Sequence, residues 1–242
     1  MSWDIWLILF VLGVVVPWRG RIRLRQLLAL PHVGTRERMA LYLSTILFQW
    51  LAVTIAGWRA WAHGFSWAEL GLGKPAPSLI IGGFVGSGML AGLQWLNLRR
   101  MGKVGARAQN LRALGERILP RTRTELISFS ALAVTAGVCE EFLYRGFAVA
   151  AFSRTGLPGW VVVLITAVLF GLAHLYQGRG GLFGTMILGT LFGAIRIAYT
   201  SLAPVMLSHA AIDVVAGIAG PKYLLKPGNG ESADVSAFKS IT

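Results

Sequence analysis

The stretch Trp160-Val-Val-Val-Leu-Ile-Thr-Ala-Val-Leu-Phe-Gly-Leu-Ala-His-Leu-Tyr176 runs 17 residues without a proline or a formally charged side chain. It is too long and too continuous for a strand of a soluble sheet. In lipid, a helix is the form that satisfies its own backbone hydrogen bonds. Comparable runs lie on both sides of it: Trp3–Trp18, Met39–Trp61, Ser78–Leu98, Glu125–Phe152, Leu182–Tyr199 and Leu202–Gly220. A span takes about 20 residues. The expected fold is therefore all-α, a polytopic transmembrane bundle of about seven spans. The first run is not read as a signal peptide, because Asp4 stands where a positive n-region belongs and no small-residue cleavage site follows.

Composition agrees. Of 242 residues 55% are hydrophobic and 14% charged, and the mean hydropathy is +0.63. A soluble domain would carry about a quarter charged residues. The single cysteine, Cys139, excludes a disulfide framework and a Cys-rich zinc site. Cys139 itself has no positive neighbour to activate it and reads as packing. The chain divides into N-terminal spans with basic loops (1–124), a motif-bearing helical core (125–220) and a polar tail (221–242).

The formal charge of +13 would suit nucleic acid, but the charges lie between apolar runs, so no nucleic-acid partner is expected. Arg19, Arg21, Arg23, Arg25, Arg36 and Arg38 follow the first run, and Arg99 to Arg123 follow the third. The positive-inside rule makes both segments cytoplasmic, which puts the N-terminus outside and the C-terminus inside. The same residues would attract anionic lipids. Between Gly102 and Arg123, Val104, Ala108, Leu111, Leu114 and Ile118 recur at helical spacing. The segment reads either as an interfacial amphipathic helix or as a solvated basic loop. Gly82/Gly86, Gly88/Gly92 and Gly189/Gly193 have the spacing that lets helices approach closely. Trp3, Trp18, Trp58, Trp61 and Trp160 stand near span ends, as interface anchors do.

An ionisable group within a span costs several kcal/mol and is a functional candidate by default. Those groups are Glu140, Glu141, Arg145, His174, Arg196, His209 and Asp213. Arg196, near the outer end of its run, is expected to snorkel. Glu141 and Arg145 are four apart and share a helical face, so they should pair. Glu140 is left without a local partner and free to exchange a proton. Both glutamates could equally belong to a structural ion-pair network. Glu140 lies 17 residues before Leu157 and His174 lies 17 after it. In an antiparallel hairpin turning there, both sit roughly 25 Å from the turn at about 1.5 Å per residue. His209 and Asp213, again four apart, can form an oriented imidazole–carboxylate pair or simply join helices through hydrogen bonds. Counted from the turn near Ser201, His209 lies only about 12 Å deep, and it meets Glu140 only if that turn is sunk into the membrane. Solvent must reach Glu140, which calls for a polar cavity among the fourth, fifth and seventh spans.

Glu140-Glu141-Phe-Leu-Tyr-Arg145, then Phe170-Gly-Leu-Ala-His174, then His209-Ala-Ala-Ile-Asp213 resemble, in order, the motifs of the CPBP family of intramembrane proteases. That family includes the type II CAAX prenyl endopeptidases and the bacterial proteins once called abortive-infection proteins. The resemblance covers about residues 125–220. It implies hydrolysis of a peptide bond in a peptide or membrane-protein substrate, in a bacterial plasma membrane. It casts Glu140 as the base that activates a water, with His174 at the same water. His209 and Asp213 would stabilise the oxyanion or hold a metal, and Glu141 and Arg145 would support the site. If a metal such as zinc is used, Glu140, His174, His209 and Asp213 are its candidate ligands, since two His and carboxylates can hold zinc with an open position. A metal-free glutamate mechanism is the alternative. The helical His-Glu-x-x-His zinc motif is absent. Asp213 stands where many relatives have Asn, and an ionised Asp, unlike an amide, cannot donate to an oxyanion. That favours a metal or an altered mechanism.

No Gly-x-Ser-x-Gly elbow is present, which argues against a serine hydrolase. Two other functions use the same residues. A transporter or proton relay would bury Glu and His, but it predicts matched broken helices. A non-catalytic scaffold or immunity factor of the family would keep the fold without the chemistry.

Overall fold

The computed structural model describes residues 1–101 and 109–225, with residues 109–111 described by their backbone alone. The helices are α1 (Trp3–Ala29), α2 (Thr35–Ala62), α3 (Pro77–Met101), α4 (Gln109–Ile118), α5 (Arg123–Ser153), α6 (Gly159–Ala173), α7 (Gly178–Ala198) and α8 (Ala203–Leu224). Among the described residues no strand forms, only an isolated bridge between Leu72 and Ser201. Among the described residues six helices are long and apolar enough to cross a membrane. The shorter α6 makes the seventh. Its 15 residues reach only about 22 Å, less than the roughly 30 Å hydrocarbon core. It therefore stops, at His174, at a depth where a full-length span would continue.

The ends differ from expectation in two places. Helix α1 does not stop at Trp18 but carries Arg19 to Arg25 on its last turns. Nothing breaks it until Leu30, which is extended because Pro31 disfavours the helical conformation in the residue before it. Helix α8 likewise continues through Pro221 to Leu224. The rest of the expected tail lies outside the described residues. The basic segment forms a helix at α4, with Leu114 buried. Val104 and Ala108 of the expected pattern lie outside the described residues.

Packing runs in two groups. Helix α8 lies between α3 and α5, α2 lies on α5, and α7 lies on α6. Glycines set the close approaches. A Cβ on Gly137 would stand 2.7 Å from Ala210 N and 2.9 Å from Met206 O on α8, and one on Gly189 would stand 3.2 Å from Ala167 Cα on α6. By contrast Gly82, Gly86, Gly88 and Gly92 face open space, so the expected packing there is not made within the chain. The five span-end tryptophans are all largely exposed.

At one end of the bundle Arg38 donates from Nε and Nη2 to both oxygens of Glu125, at 2.8 and 3.1 Å, and from Nη1 to Val33 O at 2.7 Å. This fork ties the start of α2 to the start of α5 in a buried setting. Removing either partner would strand the other charge, at a cost of about 3–5 kcal/mol. At the opposite end Arg196 does not snorkel. It is buried and donates to Ala68 O, Glu69 O and Tyr199 O. That clamp holds the α2–α3 connection over the α7–α8 turn, where Leu202 N donates to Gly71 O at 2.7 Å. Ser201 and Leu202 are consequently buried, and α8 begins deep.

Candidate active site

The wide turn Phe142–Ala148 begins directly after Glu140 and Glu141. Such π-type turns reorient side chains and cluster at functional sites. Here the turn keeps Arg145 fully buried, 3.1 Å from Glu141 Oε1 through Nη1, as the spacing predicts. Its guanidinium lies 4.0 Å above the Phe170 ring.

The three motif helices converge. Glu140 Oε2 stands 3.7 Å from His174 Nε2 and 4.0 Å from His209 Nε2. His174 ends α6, and its Nδ1 lies 2.9 Å from Phe170 O. Only a protonated Nδ1 can bond a carbonyl, so Nε2 is left to face Glu140. His209 meets Glu140 because the α7–α8 turn is sunk beneath the α2–α3 connection. Its Nδ1 is bound by Glu141 Oε1 at 2.7 Å, not by Asp213. Asp213 Oδ2 lies 3.6 Å from Nε2 and is partly exposed. Glu141 thus joins Arg145 to His209, so the neighbouring glutamates serve one site from two directions.

Three contributors escaped the sequence reading. Gln49 on α2 donates from Nε2 to Glu140 Oε1 at 2.7 Å, so Glu140 does have a partner, one that is 91 residues away. Phe170, read only as a motif letter, packs against His174, His209 and Tyr144 as well as Arg145. Phe192 of α7 lies 6.4 Å from the His209 ring, centroid to centroid. No local signal marks Gln49 or Phe192. The Phe170 to His174 spacing of four was the available clue for Phe170.

A cavity of about 300 Å³ opens onto Glu140 and His174. It is not the polar cavity expected among the fourth, fifth and seventh spans. Its walls come from α1, α2, α4, α5 and the end of α6, with no residue of α8, and side chains such as Leu12, Leu24, Phe48 and Leu143 make them mainly apolar.

Glu140 Oε2 is buried and has no hydrogen-bond partner among the described residues, which invites a metal or a polar ligand there. Yet among the described residues no group of three or more His, Cys, Asp or Glu is gathered as metal ligands would be. Asp213 Oδ2 reaches His209 Nε2 at 3.6 Å, and the metal set drawn from the sequence is not gathered as a ligand group among the described residues.

Residues 122–215 match the family model described as type II CAAX prenyl endopeptidase Rce1-like. The chain carries an Rce1-like domain. No curated protein and no solved structure matches the chain. The Rce1-like region spans α5 to α8 and contains all six motif residues. The family is one of CAAX-protease-like membrane endopeptidases, which agrees with a chain built of apolar spanning helices. Gln49 and most of the cavity wall come from helices before the Rce1-like region.

Proposed function

We propose that this protein is an intramembrane endopeptidase in which Glu140 is the general base. The supporting observation is one carboxylate oxygen, Glu140 Oε2, faced by two imidazole Nε2 atoms at 3.7 and 4.0 Å and without a hydrogen-bond partner among the described residues. Those gaps are too long for direct hydrogen bonds and suit a small polar molecule between the groups. In the proposed reaction, Glu140 takes a proton from water as the water oxygen attacks the substrate carbonyl carbon. The carbonyl electrons move onto oxygen. His209, protonated on both nitrogens, keeps Nδ1–H on Glu141 and offers Nε2–H to that oxyanion. When the tetrahedral species collapses, the C–N bond breaks and Glu140 returns the proton to the leaving amine. His174 Nε2 accepts from the attacking water and orients it. Arg145 holds Glu141, and Gln49 holds Glu140 Oε1.

The arginine-bearing ends of α1, α2, α3 and α5 face the cytoplasm in this reading, with the N-terminus outside. The deciding experiment is digestion of a membrane-peptide library by the purified protein and by Glu140→Ala, with and without a chelator. Cleavage that is lost in the folded variant and kept with chelator is expected. An unchanged rate in Glu140→Ala would reject the assignment of the base. Loss of activity on chelation, restored by zinc, would reject the metal-free route.

A further inference from the structure

Helix α6 ends at His174, and the residues just after it fold back onto the imidazole. His174 N donates to Gly171 O and Gln177 N donates to His174 O, both at 2.9 Å, so Leu175–Gln177 form one tight turn. Gly178 closes the turn at φ +82°, a left-handed conformation open to glycine. The turn sets the Tyr176 ring beside His174, with centroids 6.0 Å apart and planes inclined by 29°. The Phe170 ring lies 4.5 Å from the same imidazole at 57°.

Tyr176 lines the cavity that opens onto Glu140. A ring on a cavity wall can swing into the open space unless something ties it down. Gln177 does so, donating from Nε2 to the Tyr176 hydroxyl at 3.2 Å. Gln177 can fold back this way because residue 181 is glycine. A Cβ there would collide with Gln177 Cβ and stand 2.8 Å from its Oε1. On α1, a Cβ at Gly20 would lie 3.6 Å from Tyr176 Cδ1, so α1 packs against the same ring. The orientation of the imidazole matters because Nδ1 meets Phe170 O at 2.9 Å while Nε2 faces Glu140. A ring flip would put carbon on that carbonyl and turn Nε2 away. One hydrogen bond is a weak restraint on an imidazole beside a cavity, and the neighbouring rings add shape to it.

We propose that Tyr176, tied by Gln177 in the space left by Gly181, is a positioning residue that holds the His174 imidazole with Nδ1 on Phe170 O and Nε2 toward Glu140. The proposal rests on the endopeptidase reading for its consequence in catalysis. Its geometry can be tested without turnover.

The test uses full-length protein in phosphatidylcholine nanodiscs, isotope-labelled at the histidine ring nitrogens and studied by NMR, with the His174 signals assigned through His174→Gln. In the parent, His174 should be mainly the Nδ1–H tautomer, the form that can bond a carbonyl. Tyr176→Leu should lower the ratio of Nδ1–H to Nε2–H about threefold to tenfold, the weight of one aromatic pair. Tyr176→Phe keeps the ring and should restore most of that ratio. Gln177→Leu and Gly181→Ala should each fall between Phe and Leu, and together lose no more than either alone, because both act through one tie. The His209 signals should stay in place, since Glu141 holds that ring at 2.7 Å. On a cleaved peptide, kcat should fall about threefold to tenfold in Tyr176→Leu with KM within about twofold. An unchanged His174 tautomer in Tyr176→Leu would overturn the proposal. If that variant does not fold, an unchanged tautomer in Gln177→Leu would do the same. His174 and His209 changing together would also overturn it, leaving Tyr176 a merely structural role, as would additive losses from Gln177→Leu and Gly181→Ala. A parent that cleaves nothing, but shows the expected tautomer shifts, would uphold the positioning and refute the endopeptidase reading instead.

Discussion

Arg145→Met tests whether the buried charges work as one unit. Arg145 and Glu141 have no exposed side-chain surface, and they meet at 3.1 Å. Methionine fills much of the same volume and keeps contact with Phe170, so the main loss is the charge. Glu141 then stays buried with His209 as its remaining partner, at 2.7 Å. Stranding one member of a buried pair costs about 3–5 kcal/mol. For a chain of this size each kcal/mol moves the melting temperature by about 2–4 °C, so a drop of roughly 6–20 °C is expected. The assay is thermal unfolding in detergent, followed by the fluorescence of the nine tryptophans. The double variant Arg145→Met/Glu141→Gln removes both charges while Gln keeps an oxygen for His209. It should melt higher than Arg145→Met alone, because no carboxylate is left stranded. A single variant within about 1 kcal/mol of the parent, or a double variant that loses the sum of the two single losses, would refute the reasoning.

Gln49→Leu removes the donor on Glu140 Oε1, a bond to a charged group worth about 1.5–3 kcal/mol. Peptidase kcat should fall about tenfold to a hundredfold with little change in KM, as steady-state kinetics on the folded variant would show. Gly137→Ala places a Cβ 2.7 Å from Ala210 N and must push α8, with His209, away from α5. Activity should fall steeply and the melting temperature with it, whereas Gly88→Ala, facing open space, should change neither. Glu69 is held down at about 2, first by its bonds from Arg154 and then by the Ser66 backbone. Because the folded value is lowered, its contribution is complete above the ordinary carboxylate range. It is lost as pH falls from about 4.5 toward about 2. The pair is well exposed, so the loss should be at most about 1 kcal/mol. Arg154→Gln should remove that part of the acid dependence of melting.

The sequence by itself determined the spans, because each helix satisfies its own backbone in lipid and its apolar run records that directly. It also determined the local pairs. Glu141 and Arg145 meet because four residues make about one turn, and Glu140 and His174 reach the same depth because equal counts from Leu157 give equal rises. What distant helices contribute has no such local record. Gln49 reaches Glu140 from a helix about ninety residues earlier, and its lone amide in an apolar run looks like any other polar residue. The depth of His209 depended on a turn held down by Arg196 and the α2–α3 connection, and counting along α8 cannot see that connection. Glu141, not Asp213, takes His209 Nδ1 because α5 and α8 approach through Gly137. The cavity wall was misplaced for the same reason: which helices surround a group is decided by how they pack side by side, and periodicity fixes only which face each one has to offer.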